Sequence, residues 1–150
     1  MTQESVSSRS LSLPLSVLSG LALCQMSRDI TNMSKKVIFL LHRIALEDDD
    51  TSYIRAAKSG LSKLREVQDI YASHTYQLAG AHFWRYQRQV SPGLQEYIEA
   101  LSFVHYLQYG SLIPFQTVQL SLSSPEGVPV CHLNIREPYF FFYFNPSISL

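Results

Sequence analysis

This chain of 150 residues has very little cysteine, little charge and no long apolar run, and each shortage closes off a class of protein. Two cysteines, Cys24 and Cys131, are too few for a disulfide scaffold or a four-cysteine zinc site. The histidines, His42, His74, His82, His105 and His132, show neither H-x-x-x-H nor any Cys/His ligand spacing. Charged residues make up 16% of the chain, against about a quarter in an ordinary globular protein. The 12 basic and 12 acidic residues cancel, which excludes a polybasic tail or a histone-like nucleic-acid binder but leaves room for a local basic patch. No stretch reaches the roughly 18 apolar residues of a membrane span, so no membrane partner is expected.

What charge there is lies in the middle. Residues 26–113 hold ten basic and nine acidic residues, and the two ends hold almost none. At the start, Arg9 precedes an apolar-leaning run from Leu11 to Leu23, a faint signal-peptide outline that Ser12, Pro14, Ser16 and Ser19 interrupt. Residues 1–25 are therefore expected to be a disordered or mis-assigned start, and secretion is not expected. Residues 121–150 carry turn formers and no helical period, and are expected to be a non-helical, non-native tail. Their PYFFFYFNP block, residues 138–146, is what a translated T-rich intron tract would produce.

Three central segments carry a helical period. Met26, Ile30, Met33, Val37, Leu40 with Leu41, and Ile44 recur in alternating steps of four and three, with Ser27 in place to cap the start and Asp29 suited to the helix dipole. After the acidic run Glu47–Asp50, Ile54, Ala57, Leu61, Leu64, Val67 and Tyr71 form a second stripe, weakened by Gly60. The third runs from about Gly80 to Tyr109 through Phe83, Tyr86, Val90, Leu94, Tyr97 with Ile98, Leu101, Val104 with His105, and Gln108. Within it Pro92 is expected to kink or split the helix, with Ser91 capping a fresh start, and Gly110 is expected to end it. A short fourth helix is expected from Phe115 to about Leu120. Long helices with short loops predict an all-α, antiparallel helical bundle.

Two clusters could carry chemistry. Glu96 and Glu99, at i and i+3, project from one helix face about 60° apart. Carboxylates so close repel unless a proton or cation lies between them, and a hard ion such as Mg²⁺ or Mn²⁺ takes oxygen ligands and activates water for attack on a phosphodiester. On spacing alone, a solvated surface pair is the commoner outcome. A di-iron carboxylate site needs Glu-x-x-His, and Ser102 stands where that histidine belongs. In the second cluster Arg85 and Arg88 share a helix face with Trp84 alongside, which suits phosphate contact plus base stacking, and Lys36 and Arg43 stand a heptad apart on the first helix. The alternative is ordinary helix surface with Trp84 anchoring a core.

SRDITNMSKKVIFLLHRI, residues 27–44, and SPGLQEYIEALSFVHYLQYGSLI, residues 91–113, together resemble the translin family over about residues 26–129. The resemblance implies an all-α fold of the translin type over residues 26–120 and assembly with translin into a hetero-oligomer. It implies a Mg²⁺- or Mn²⁺-dependent endoribonuclease acting on single-stranded RNA, including small-RNA passenger strands and tRNA fragments, with single-stranded DNA as a second nucleic acid. It places Glu96 and Glu99 in catalytic metal positions, puts Arg85, Arg88, Trp84, Lys36 and Arg43 toward nucleic acid, and implies a cytoplasmic and nuclear location. The family's third acidic residue lies in a later DLTGEL-like stretch that is absent here, and Glu126 and Glu137 are poor replacements. The expectation is therefore a truncated family member, incomplete at the C-terminus and inactive by itself. Its alternatives are a non-catalytic binding partner of translin or nucleic acid, and a non-functional product.

Overall fold

In the computed structural model, residues 14–47, 51–79, 81–123, 127, 129 and 133 are described; the expectations for the aromatic block 138–146 and for most of the acidic run fall outside them. Five helices follow one another: α1 (Leu15–Ala45), α2 (Ser52–Ser73), α3 (Thr75–Leu78), α4 (Ala81–Tyr109) and α5 (Phe115–Ser121). The fold is all-α, and α1, α2 and α4 pack against one another around a single core.

Cross-helix contacts set the directions. Tyr86 donates to the Ser16 carbonyl at 3.1 Å, Ser27 meets Val90 and Gly93, and Lys35 meets Glu96, so α1 and α4 run parallel. Gln68 on α2 reaches Tyr97 on α4, and Gly60 faces both Leu41 and Val104, so α2 runs antiparallel to both. α4 buries its predicted stripe from Phe83 to Val104, but the last predicted positions are not inward: His105 is only half-buried and Gln108 is exposed. Gly110 ends it at φ +66° with its N–H donating to the Tyr106 carbonyl, and α5 forms where a fourth helix was expected.

Three expectations are corrected. First, α1 begins at Leu15, so residues 15–25 are helix and not a disordered start. Leu23 is fully buried, Gly20 lies against the Tyr86 ring, and the Ser19 hydroxyl bonds back to the Leu15 carbonyl, so Ser16 and Ser19 are absorbed within the helix. Second, in the first half of α2 the predicted Ala57 is buried, but Ile54 and Leu61 are exposed, and the rest of the inner face is Ser52, Ala56 and Gly60. A Cβ at Gly60 would lie 2.7 Å from Val104 Cγ2 and 2.8 Å from Leu41 Cδ2, so the helices cross closely here and a side chain would have to push those two methyl groups aside.

Third, Pro92 does not split α4, and Ser27 is not a cap. Proline removes one donor and crowds the preceding turn, which strands nearby backbone groups. Ser27, 3% exposed in mid-α1, supplies partners for them: its hydroxyl accepts from Gly93 N–H at 2.9 Å and faces the Val90 carbonyl at 3.4 Å. The helix continues because α1 satisfies what the ring disrupts.

Behind the candidate site, Tyr97 is fully buried, stands edge-on to Tyr71, accepts from Gln68 Nε2 at 2.9 Å and donates to Ser121 Oγ at 3.0 Å. Burial raises its phenol above the ordinary tyrosine value, with the Ser121 and Gln68 hydrogen bonds opposing. This knot ties α2, α4 and α5 together beside Glu96.

Candidate functional site

The parallel α1/α4 seam organises the charged residues. Its interior is apolar, through Leu23, Met26, Ile30 and Val37 on α1 and Val90, Leu94 and Ile98 on α4. One helical step outside this stripe, a polar flank follows the seam with the same period. On α1 it comprises Cys24, Arg28, Thr31, Asn32 and Lys35; on α4 it comprises Arg88, Gln89, Pro92 and Glu96.

Glu96 lies partly covered between the helices, with Lys35 Nζ 3.4 Å from Oε1. Glu99, one turn further along α4, is exposed, and among the described residues no ion pair holds it. Tyr97, Ile98 and Ala100 are all buried, so both glutamates project from a stretch whose opposite face is locked into the core. Among the described residues no group of three or more His, Cys, Asp or Glu side chains comes together. Two carboxylates are nevertheless a suitable protein share for Mg²⁺, which keeps several waters and commonly takes only one or two carboxylates. The donor set therefore fits such an ion in part, provided Lys35 gives way.

Toward the N-terminus of α4, Arg88 lines a cleft of about 660 Å³ with Cys24, Ser27, Arg28, Thr31, Asn32, Gln89 and Pro92. Arg85 lies a turn earlier, its guanidinium 5.8 Å from the centre of the Tyr86 ring, beside a smaller hollow walled by Ser16, Ser19, Tyr76 and His82. Trp84 is 49% exposed and edge-on to Phe83, so it presents a free ring surface beside the arginines and is not a core anchor.

Lys36 and Arg43 do come together, but elsewhere. Both line a groove of about 560 Å³ between α1 and α2 with Met33, Phe39, Leu40, Lys63 and Glu66, and there Lys63 already pairs with Glu66 at 3.0 Å. The seven predicted residues thus divide between the α1/α4 seam and the α1/α2 groove. Sequence reasoning did not place Lys35 against Glu96 or Arg28 beside Arg88. The available signal was the run 24, 28, 31, 35, which tracks the buried run 23, 27, 30, 34 one position behind.

Comparison with known proteins agrees with this architecture. A model described as the translin family matches residues 22–141, wider at both ends than the 26–120 expected. Translin-associated protein X of Rattus norvegicus is 38% identical over 101 residues, 67% of this chain and 34% of that protein, and the Mus musculus protein matches to the same extent. The translin-associated protein X homolog of Schizosaccharomyces pombe is 32% identical over 89 residues, 59% of this chain and 38% of that protein. The chain spans about a third of the length of the curated relatives it matches. With well over half of its residues matched by the family model and its core built from three mutually packed helices, the chain belongs to the translin family.

Proposed function

We propose that this chain serves, with translin as partner, as a subunit of a divalent-cation-dependent endoribonuclease acting on single-stranded RNA. Its substrates would be small-RNA passenger strands and tRNA fragments, with single-stranded DNA as a further ligand and the cytoplasm and nucleus as its place of action. The observation that carries the reading is the position of Glu96 and Glu99: one turn apart on a core-anchored stretch of α4, at the end of a seam that Arg88 and Arg28 also line.

Glu96 and Glu99 would hold Mg²⁺ or Mn²⁺. When bound, such an ion lowers the pKa of its water and stabilises charge developing on a phosphodiester. The chain's own residues do the rest. Arg88 and Arg85 take phosphate oxygens, Trp84 offers its exposed face to a base, and Lys36 and Arg43 hold a strand that extends over the α1/α2 groove. Lys35, paired with Glu96, would have to swing aside for Glu96 to hold a cation.

The test is Glu96→Ala and Glu99→Ala, separately, in a full-length relative co-assembled with translin, scored for cleavage of single-stranded RNA. Each should lower the rate by about 100-fold or more, as loss of a group that stabilises developing charge does. Unchanged cleavage rejects the assignment. The Lys35–Glu96 pair and the absence of a third acidic ligand among the described residues favour a second reading, a non-catalytic partner. That protein would co-purify with translin, leave cleavage at background and bind RNA with a steep salt dependence.

A further inference from the structure

We infer that the α1/α4 cleft beside Pro92 is a discrete phosphate-binding pocket, sized for a nucleoside monophosphate or the terminal nucleotide of a strand, with Arg28 and Arg88 as its anion clamp. One arginine comes from each helix, and both line the same hollow of about 660 Å³. That volume lies within the ~300–1,000 Å³ range of small-molecule sites.

Among the described residues no carboxylate lines the cleft and none pairs with either guanidinium. The nearest acid in sequence, Asp29, is engaged outside it, where it accepts from Gln25 Nε2 at 2.9 Å. Two guanidiniums in one concavity with no counter-charge set up a positive potential that an anion relieves. Their planar, forked donors match phosphate oxygens, which a lysine does not reproduce.

The rest of the wall suits a ligand with more than a phosphate. Asn32 offers an exposed amide at the rim, and Cys24 and Pro92 give apolar surface. Gln89 Oε1 is buried in this wall without a hydrogen-bond partner. Buried acceptors are seldom left unpaired, so a modest rotation of the Gln89 amide toward a ligand hydroxyl or amino group would satisfy it. The wall is held in shape by the Ser27 bridge to Gly93, directly behind the cleft. Arg88 and Glu96 are eight residues apart on α4, about 12 Å along its axis at helical rise, so the pocket is separate from the carboxylate pair.

Cys24 supplies a reporter, because its half-buried thiol lines the cleft. In a Cys131→Ser background, the rate of Cys24 modification by a disulfide reagent would be followed against inorganic phosphate, adenosine 5′-monophosphate, adenosine and a single-stranded RNA of about ten nucleotides. Phosphate and the monophosphate should both protect Cys24, the monophosphate at lower concentration, and adenosine should not. Arg28→Met and Arg88→Met should each raise the half-protecting concentration at least tenfold, and Arg88→Lys should recover little. Circular dichroism confirms that the variants remain helical; because both side chains are solvent-exposed, the fold does not depend on them.

Protection by the RNA alone would overturn the pocket, and would leave the two arginines as part of an extended backbone-tracking face. Protection that survives both arginine substitutions would overturn the clamp. The pocket shares Arg88 with the nuclease reading but not its carboxylates: Glu96 and Glu99 variants should abolish cleavage without altering Cys24 protection, so failure of the pocket and failure of the metal assignment are read separately.

Discussion

Replacing Gly93 with alanine opposes two well-characterised effects at one atom. In a helix interior, alanine is favoured over glycine by about 1 kcal/mol. At Gly93, however, the new Cβ would lie 2.8 Å from the Ser27 carbonyl oxygen, 2.9 Å from its hydroxyl and 3.0 Å from its Cα. Two of those atoms are backbone, so no rotamer change relieves them; α1 must retreat by about half an ångström to reach ordinary contact distance. Overpacking of this kind costs about 1–3 kcal/mol. The retreat also weakens the buried Gly93 N–H···Ser27 Oγ bond, for roughly 1 kcal/mol more. The balance is a loss of about 1–3 kcal/mol. With a urea slope of about 1–3 kcal/mol per molar, the unfolding midpoint should fall by about 1 M. Helical circular dichroism and the fluorescence of Trp84 report the transition.

Ser27→Ala separates the two parts of the argument. It removes the hydroxyl and leaves a buried N–H unpaired beside Pro92, at about 1–3 kcal/mol. It does not remove the Ser27 carbonyl or Cα, so the double variant Ser27→Ala/Gly93→Ala should be less stable than either single variant. An equal or higher midpoint for Gly93→Ala would refute the close approach of α1 and α4, and rescue by Ser27→Ala would place the clash on the hydroxyl alone.

Other consequences follow from the same packing. Gly60→Ala should cost less than Gly93→Ala, about 1 kcal/mol or below by urea unfolding, because the atoms it meets are the methyl ends of Leu41 and Val104 while the helix-propensity gain is the same. Tyr97 keeps its proton in the folded state beyond the ordinary value of 10.0, so above that pH the unfolded chain ionises first and stability falls as pH rises; Tyr97→Phe should abolish this alkaline loss in a pH series of denaturation curves. Lys35→Met should strengthen Mn²⁺ binding at the glutamates by a few-fold, measured by electron paramagnetic resonance, since a largely exposed ion pair of this kind is worth about 0–1 kcal/mol. Weaker or unchanged binding would show that Lys35 does not compete for Glu96.

The contrast between α4 and α2 explains which parts of this fold were legible in the sequence. In α4 most inward positions are large, so a period of 3.6 picks out the large buried residues from Phe83 to Val104 and misses only the small Gly93 and Ala100. In the first half of α2 the inward positions are the small Ser52, Ala56, Ala57 and Gly60, where the helices approach closely; hydrophobicity found Ala57 but assigned the rest of that face to Ile54 and Leu61. Pro92 was misjudged for a related reason. A helix-breaking rule considers one helix at a time, and the groups that let α4 continue belong to Ser27, 65 residues earlier in the chain. The candidate site divides along the same line. The spacing of Glu96 and Glu99 is local and needs nothing but helical geometry. Lys35 against Glu96 and Arg28 beside Arg88 are products of the parallel register of α1 and α4, and that register is pinned at the Ser27–Gly93 crossing. A shift of α1 by one turn, about 5.4 Å, would carry Lys35 away from Glu96 and Arg28 away from Arg88 together. The small residues of the Ser27–Gly93 crossing, which no hydrophobic pattern marks, are therefore the ones that assemble its charges.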